Sequence, residues 1–336
     1  MAATKERARA RMRLLGGVRC ALVELGYEEV ETPALVPAPG QEPHLTAFEA
    51  TFVPEVAPVA GGAAKTLYLH TSPEYAMKRL LADGWPRIFQ ICRTYRNGEI
   101  AAHHNPEFTM LEFYAAAHDY RATMDDLECV VEAAIVASAG RAQVGSLNCA
   151  APFERLTVRE AFVRYARVDP FVHDTATELR RAAQRAGVAL GAQTGERSWD
   201  DVFFEIMLTA VEPAIGRARP TFLYDWPVSQ AALARVRTDF PPIAERFELY
   251  AGGLELANGF SELNDSKEQR ARLVGEQEER RRLGHPVYPL DEAFLEAVGR
   301  MPSAGGVAVG LDRLAMLATA SQTIADVLLF PACDFT

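Results

Sequence analysis

The segment from Arg93 to Phe108 carries the densest group of side chains that could act on a phosphate. Arg93 and Arg96 precede a polar loop, and Asn105 and Phe108 stand where the chain returns from it. A guanidinium group held there can stabilise the negative charge that develops during phosphoryl or adenylyl transfer. The ring of Phe108 can stack on a base. A surface hairpin with cross-strand ion pairs is the alternative, and composition alone favours it.

Two glutamates, Glu248 and Glu255, form a second candidate site. Gly252-Gly253 between them predicts a two-residue hairpin turn, which places Glu255 opposite Tyr250 and on the same face as Glu248. Two carboxylates that close repel each other unless a cation lies between them. Oxygen ligands of this kind suit Mg²⁺.

Glu262 follows Glu255 by seven residues, which is an odd number. In an uninterrupted strand the two side chains therefore lie on opposite faces. The Asn258-Gly259 pair offers a break in the pleat that could bring Glu262 to the same face. An exposed acidic hairpin is the alternative for all three glutamates, since the chain holds 45 acidic residues.

The segment 305–313 is rich in glycine and leads from a predicted strand into a predicted helix. Small residues such as Gly310 let a flat ligand approach the backbone. Arg313, in the first turn of the helix, could stack on that ligand or meet a phosphate. Close packing of the helix on the sheet is the alternative explanation for the glycines.

Composition limits the classes of protein to consider. Apolar residues make up 49% and charged residues 24% of the 336 residues, the balance of a folded globular chain. The 35 basic and 45 acidic residues give a net charge of −10, which disfavours sequence-independent binding to nucleic acid. The five scattered cysteines are typical of free thiols in a reducing cytoplasm, and no apolar run reaches the ~18 residues of a membrane span.

The predicted helices and strands show where the candidate residues lie along the fold. Ser72 is predicted to cap a helix with Pro73 at its first position. The segment from about 120 to 219 has helical periodicity and is predicted to be a mainly helical insertion. Strands before and after it, joined by hairpins, predict an antiparallel sheet in an α+β fold. These strands are predicted at 88–93, 108–115, 221–224, 246–251, from 254 onward, and at 306–310.

Taken in order, these segments resemble the three motifs of class II aminoacyl-tRNA synthetases, and the lysyl type in particular. The resemblance rests on the strand ending at Pro33, the Thr-Ser-Pro-Glu stretch at 71–74, the block from Arg96 to Glu112, and the segments 220–222, 255–265 and 310–313. It implies the class II catalytic fold, a mostly antiparallel sheet flanked by helices, as a single domain over 1–336. Because the catalytic pattern begins almost at once, we expect no anticodon-binding domain.

The chain is similar to the stand-alone paralogues of the lysyl enzymes, which attach (R)-β-lysine to a lysine of translation elongation factor P. The stretches 72–81 and 306–308 carry this closer similarity. Ala308 stands where synthetases usually have glycine, and a methyl group at the floor of the amino-acid pocket biases substrate choice by about 1–3 kcal/mol. The resemblance implies ATP-dependent activation of (R)-β-lysine, or lysine, to an aminoacyl-adenylate and its transfer to the ε-amine of that lysine.

The resemblance also implies a role for particular residues of this chain. Arg96 and Arg313 would be catalytic. ATP would be bound by Arg96, Asn97, Gly98, Asn105, Phe108, Glu255, Leu256, Gly310 and Arg313. The amino acid would be bound by Ser72, Pro73, Glu74, Tyr114 and Glu262, with the last two taking the distal ammonium. Mg²⁺ would be held by Glu248 and Glu255.

One position departs from the family's pattern. The motif has glutamate two residues after Arg96, where this chain has Gly98, and the acid follows at Glu99. Either the loop shifts by one residue so that Glu99 acts in its place, or the backbone alone contacts adenine.

Two other functions stay open at this point. A truncated lysyl-tRNA synthetase would charge tRNA, a partner that the acidic charge balance disfavours. A catalytically inactive regulatory paralogue would lack the charges of the ATP site, whereas Arg96, Glu248, Glu255 and Arg313 are present. The resemblance of 27–33 to a dimer-forming motif implies a homodimer. We expect a cytoplasmic protein with no membrane partner.

Overall fold

The structure, a computed structural model, describes residues 3–54, 64–192 and 195–334. The helices are α1 (Lys5–Glu24), α2 (Glu74–Ala82), α3 (Tyr120–Ala139), α4 (Val158–Ala161), α5 (Ala176–Arg185), α6 (Trp199–Ile206), α7 (Ser266–Leu283), α8 (Glu292–Val298) and α9 (Leu311–Ala318). Shorter π- and 3₁₀-helical turns lie at Phe162–Ala166, Pro170–Val172, Met207–Val211, Val228–Gln230, Ile324–Asp326 and Ala332–Asp334.

The strands are β1 (Glu28–Glu29), β2 (Leu35–Val36), β3 (Glu49–Phe52), β4 (Lys65–Leu69), β5 (Arg87–Tyr95), β6 (Glu107–Ala116), β7 (Gln143–Val144), β8 (Leu147–Asn148), β9 (Glu154–Thr157), β10 (Thr221–Pro227), β11 (Val236–Arg237), β12 (Ile243–Ala251), β13 (Leu254–Ser261) and β14 (Ala304–Gly310). The main sheet has the order β1-β5-β6-β14-β13-β12-β10-β9, with β11 paired to β12. Its neighbours are antiparallel except at the two edges, where β1 joins β5 and β9 joins β10 in parallel. The predicted α+β fold with a mostly antiparallel sheet is confirmed.

The hairpin turn between β12 and β13 has the predicted geometry. Gly252 and Gly253 have φ angles of 62° and 84°, which glycine adopts without the strain that a side chain would cause. Tyr250 pairs with Glu255, as the sequence predicts. The turn therefore fixes the register of the two strands that carry the candidate acidic residues.

One face of the main sheet packs against α1, α3 and α9 and forms the larger hydrophobic core. Leu14 of α1 and Val131 of α3 are fully buried in it, together with Phe113 of β6 and Val309 of β14. Side chains alternate along a strand. The residues between these core positions therefore point to the opposite face, where α2, α7 and α8 pack in two smaller clusters.

The segment from about 120 to 219 divides into two parts in the structure. α3 belongs to the main core, because it buries its apolar side against α1 and the sheet, and β9 is an edge strand of that sheet. The helical elements from α4 to 207–211 pack with β10 in a second cluster around Phe162, Phe203 and Trp226. Only this second part forms a separate helical layer. The assignment of the chain to one domain stays a prediction.

The start of α2 differs from the prediction by one position. Pro73 is the N-cap residue, with φ −78° and ψ 0°, and the helix begins at Glu74. Ser72 is thus not the cap, although its hydroxyl accepts a hydrogen bond from the Glu74 amide at 3.0 Å. Within the described ranges, no helix is long and apolar enough to cross a membrane.

Candidate active site

A cavity of about 280 Å³ lies on the face of the main sheet opposite α1 and α3. Its floor contains residues paired across three strands: Glu112 of β6 pairs with Ala308 of β14, which pairs with Asn258 of β13. The predicted site residues that line the cavity are Ser72, Glu74, Arg96, Asn105, Phe108, Glu255, Leu256, Gly310 and Arg313. The predicted residues outside its wall are Pro73, Asn97, Gly98, Tyr114, Glu248 and Glu262. The structure thus brings most of the predicted residues together, and their roles stay predictions.

Arg96 and Phe108 meet where β5 and β6 approach the cavity. The guanidinium carbon of Arg96 lies 5.1 Å from the centroid of the Phe108 ring, within cation–π range. The Arg96 amide donates to the Pro106 carbonyl at 2.9 Å. These contacts hold a cation and an aromatic ring at the same edge of the cavity.

Glu99, not Gly98, reaches the cavity. Gly98 has a φ of 86°, a left-handed conformation that favours glycine. Glu99 lines the cavity, and its Oε1 lies 3.7 Å from Nη1 of Arg96. The geometry agrees with the first of the two alternatives, in which the loop shifts by one residue and Glu99 replaces the glutamate of the motif.

Arg313 is held in place by acceptors from two other segments. Its Nη1 donates to the Glu255 carbonyl at 3.0 Å, and its Nη2 lies 2.7 Å from Nε2 of His104. Burial, and then the charge of Arg313, lower the pKa of His104. The imidazole is therefore neutral near pH 7 and can accept the hydrogen bond. This arrangement fixes the Arg313 side chain at the cavity.

Two further side chains, Asn105 and Asp312, line this end of the cavity and tie it to neighbouring segments. Asn105 donates to the Glu107 carbonyl at 2.6 Å and accepts from the Ala332 amide at 2.9 Å. Asp312 accepts from Nε of Arg11 at 2.8 Å and from the Thr109 amide at 2.7 Å. The Asp312 contacts join α1, β6 and α9, a role that the sequence does not reveal because the three segments are far apart in the chain.

Glu248 and Glu255 lie on the same face of neighbouring strands, as predicted. Glu248 is buried, pairs with Arg246, and accepts from the Tyr250 hydroxyl at 2.5 Å, whereas the Glu255 side chain is 42% exposed. Burial raises the pKa of Glu248 to about 7; Arg246 opposes this rise and Glu255 adds to it.

The donor set fits Mg²⁺, because a divalent cation would relieve the repulsion between these two carboxylates. In the parts of the chain that the structure describes, no group of three or more His, Cys, Asp or Glu could hold a metal ion. The remaining oxygen ligands would have to come from a nucleotide and water, which is usual for Mg²⁺.

A β-bulge decides the face on which Glu262 lies. Leu249 pairs with Ala257 while Tyr250 pairs with Glu255, so Leu256 is the extra residue. The extra residue offsets the odd spacing and puts Glu255 and Glu262 on the same side. The predicted break at Asn258-Gly259 is wrong, because Gly259 is regularly paired on both sides and a Cβ atom there would overlap the Phe247 ring.

Glu112, which the sequence analysis did not assign, is the centre of the amino-acid end of the cavity. Its two oxygens accept hydrogen bonds from the Ser72 hydroxyl at 2.6 Å and the Tyr114 hydroxyl at 2.7 Å. Burial and the charge of Glu74 raise the pKa of Glu112 to about 8, and both hydrogen bonds oppose the rise. Its position in the same strand as Tyr114, two residues away, is the signal that could have found it.

Lys78 was also missed. It is fully buried, with Nζ 2.5 Å from Oε1 of Glu74 and 2.5 Å from Oε2 of Glu262. The two carboxylates raise the pKa of Lys78 despite its burial, so the group is an ammonium ion. The spacing of Glu74 and Lys78, four residues apart on a helix, is the sequence signal for this pair.

Gly306 allows Glu262 and Tyr114 to approach each other. A Cβ atom at this position would overlap both Oε1 of Glu262 and the Tyr114 ring. Both residues are buried just below the cavity wall. Gly306 therefore lets the Glu262 and Tyr114 side chains lie close together, a role that the glycine-rich segment has in addition to packing.

A second acidic group lies on the cavity wall beside Glu74. Glu42 and Glu276 line the cavity, and burial raises the pKa of both, that of Glu276 to about 8. The buried Arg280 donates to the carbonyls of Glu42 and Leu45 at 2.6 and 2.8 Å. Arg280 thus fixes the loop that carries Glu42 at the cavity wall.

The fold and the cavity agree with the family to which the sequence assigns the chain: it matches the tRNA synthetases class II (D, K and N) over residues 2–334 and belongs to that family. Among its relatives are the elongation factor P–(R)-beta-lysine ligases of Salmonella typhi, Salmonella paratyphi B and Salmonella schwarzengrund. Each is 40% identical to this chain over 322 residues, which cover 95% of this chain and 93% of the relative.

Proposed function

We propose that this protein is an ATP-dependent ligase that activates (R)-β-lysine and transfers it to the ε-amine of a lysine on elongation factor P. The names of relatives that match almost the whole chain support this substrate pair. The observation that carries the proposal is one cavity with fixed arginines at one end and the carboxylates of Glu74 and Glu112 at the other. The first end suits a nucleotide and the second suits a small cationic amino acid.

The arginine end accounts for the activation step. Phe108 and Arg313 would hold adenine between them, and Arg96 would contact the α-phosphate. The amino-acid carboxylate attacks the α-phosphorus and pyrophosphate leaves, so negative charge builds up on the phosphoryl oxygens. Fixed guanidinium groups stabilise that charge without reorganising. Mg²⁺ at Glu248 and Glu255 would neutralise phosphate charge.

The acidic end accounts for the choice of amino acid. A diamino acid brings two ammonium groups, and desolvating both requires carboxylates already in place. Ser72 and Glu74 would receive the amino group nearer the carboxyl end, and Tyr114 and Glu262 the distal one. Ala308, at the cavity floor between Glu112 and Asn258, would shape the pocket around the shifted amino group of β-lysine.

The transfer step requires no covalent enzyme intermediate. The neutral ε-amine of the acceptor lysine attacks the acyl carbon of the adenylate, the amine loses a proton, and AMP leaves.

We also propose a homodimer. The position of β1 at the edge of the main sheet supports this proposal, because β1 lies in the segment that resembles a dimer-forming motif.

ATP–pyrophosphate exchange tests the activation step. Exchange that depends on (R)-β-lysine or lysine, and that Arg96→Ala reduces about a hundredfold or more, is the expected result. Arg79→Ala, on the exposed side of α2, is the matched control and should keep normal exchange. If neither (R)-β-lysine nor lysine supports exchange, the result would contradict the proposal and favour an inactive regulatory paralogue.

A further inference from the structure

Lys78 is a buried cation with no contact to solvent, and it bridges two carboxylates that the proposed function places at the two ends of the amino acid. Glu74 is 14% exposed and lines the cavity, whereas Glu262 is 1% exposed and lies below the wall. One ammonium group thus connects the cavity surface to the buried carboxylate. Its position ties the two anions to each other and to α2.

The charges of this group do not balance without a ligand. Glu112 also interacts with the charge of Lys78, so three carboxylates share one ammonium ion. When all four groups are ionised their sum is −2, a state that the raised pKa of Glu112, about 8, makes costly near pH 7 without a ligand. Two ammonium groups neutralise that sum and favour ionised Glu112, whereas a monoamino acid brings one cation and leaves a carboxyl protonated or without a positive partner.

We propose that Lys78 is a positioning and specificity-determining residue, which holds the Glu262 carboxylate in place so that the pocket selects an amino acid with two ammonium groups. The inference rests on the proposed function, because it takes this end of the cavity as the amino-acid pocket. Lys78 itself acts through the Glu262 carboxylate.

Stability alone is a weak explanation for this lysine. Replacing a buried ion pair by apolar side chains of similar volume is often neutral or stabilising. A lysine that merely supported the fold could thus be exchanged for an apolar residue. The contact of Lys78 with a carboxylate that lines the cavity points instead to a role in binding.

Removal of the Lys78 charge should shift the ionisation of Glu262 to higher pH. Burial raises the pKa of Glu262 to about 7 even with Lys78 beside it. In a Lys78→Met variant the Glu262 carboxyl should therefore titrate at a higher pH than in the wild type. The other groups around Glu262 do not compensate, because Glu42, Glu74, Glu112 and Glu276 are acids and Tyr114 is neutral. In Lys78→Met the Glu262 carboxyl should therefore be protonated near pH 7 and unable to pair with the distal ammonium group.

Calorimetric binding to the full chain tests the inference without the reaction. We expect Lys78→Met to weaken binding of (R)-β-lysine and lysine by about tenfold or more at neutral pH. The affinity should recover as the pH rises toward about 9, while the wild type levels off near pH 8. Lys78→Arg should keep the wild-type pH profile. Arg79→Met, the next residue on the exposed side of α2, should bind like the wild type.

A double variant protects the test against misfolding. Lys78→Met combined with Glu262→Gln leaves no unpaired charge at position 262, and it should bind as weakly as Glu262→Gln alone. Norleucine should lose less affinity than lysine in Lys78→Met, because it has no distal ammonium group for Glu262 to bind. Equal losses for norleucine and lysine, a loss that does not change with pH, or additive effects of the two substitutions would overturn the inference.

The same measurements separate this inference from the proposed function. Wild-type protein that binds diamino acids with the predicted Lys78 dependence, but does not modify elongation factor P, would overturn the proposed function alone. Wild-type protein that binds no diamino acid would overturn both.

Discussion

At the scale of single residues, the site depends on side chains that could not be recognised as a group from the sequence. Arg96, Phe108 and Arg313 were predictable because each stands in a motif with a defined order. Lys78 and Glu112 were missed: their spacing from Glu74 and Tyr114 is visible in the sequence, but the burial and pairing that decide their roles arise only in the fold. Glu99 shows the intermediate case, in which the sequence leaves two alternatives and the turn at Gly98 favours one.

Gly306→Ala tests the close approach that the pocket requires. The added methyl group would overlap Glu262 and Tyr114, so we expect the Michaelis constant for the diamino acid to rise about tenfold or more, with that for ATP changed little. Gly275→Ala on α7 is the control, since a Cβ atom there meets nothing within 4 Å. Steady-state exchange kinetics measure both constants. Equal changes in the two constants would show that the overlap acts on the fold as a whole.

At the scale of elements, the register of β12, β13, β14 and β6 determines which side chains share the cavity. The strands, the hairpin at Gly252-Gly253 and the pairing of Tyr250 with Glu255 were predictable from turn chemistry and alternation. The bulge at Leu256 was not, because no residue type marks it and the need to bury both Leu256 and Ala257 arises only in the folded sheet. The prediction therefore placed the break at Asn258-Gly259, where the glycine instead leaves room for the Phe247 ring.

Arg11→Ala should destabilise the junction of α1, β6 and α9. The Asp312 side chain is 2% exposed, so removing Arg11 leaves a buried carboxylate without its cation, at a cost of about 3–5 kcal/mol. Arg7→Ala, one turn earlier on α1, removes a pair whose side chains are 37% and 27% exposed and should cost about 0–1 kcal/mol. Urea unfolding measures both values. Similar free-energy losses for the two variants would contradict this role of Asp312.

At the scale of the whole molecule, one side of the sheet supplies stability and the other side concentrates acidic groups that are costly to bury. The fold class was predictable because hairpins and strand order follow from local patterns. The limits of the helical layer were not, because α3 has the same helical periodicity as its neighbours and only its packing on α1 assigns it to the main core.

The stability of the ligand-free protein should fall as the pH rises from about 4.5, where these carboxyls ionise in the unfolded chain, to about 8. Burial raises the pKa values of Glu248 and Glu262 to about 7 and those of Glu112 and Glu276 to about 8. In the unfolded chain these carboxyls have ordinary, lower values, so the folded state binds more protons in this window and loses stability as they dissociate. Urea unfolding across the window measures the slope, which Glu276→Gln should reduce. A free energy of unfolding that rises with pH would contradict this account.

The most direct test of the proposed function is the intact mass of elongation factor P after incubation with this protein, ATP, Mg²⁺ and (R)-β-lysine. We predict that one lysine of elongation factor P gains one β-lysyl group, that AMP and pyrophosphate form in equal amounts, and that Glu262→Gln suppresses the gain. An unchanged mass of elongation factor P, together with labelled amino acid on tRNA in a parallel reaction, would contradict the proposal and identify the chain as a tRNA-charging enzyme.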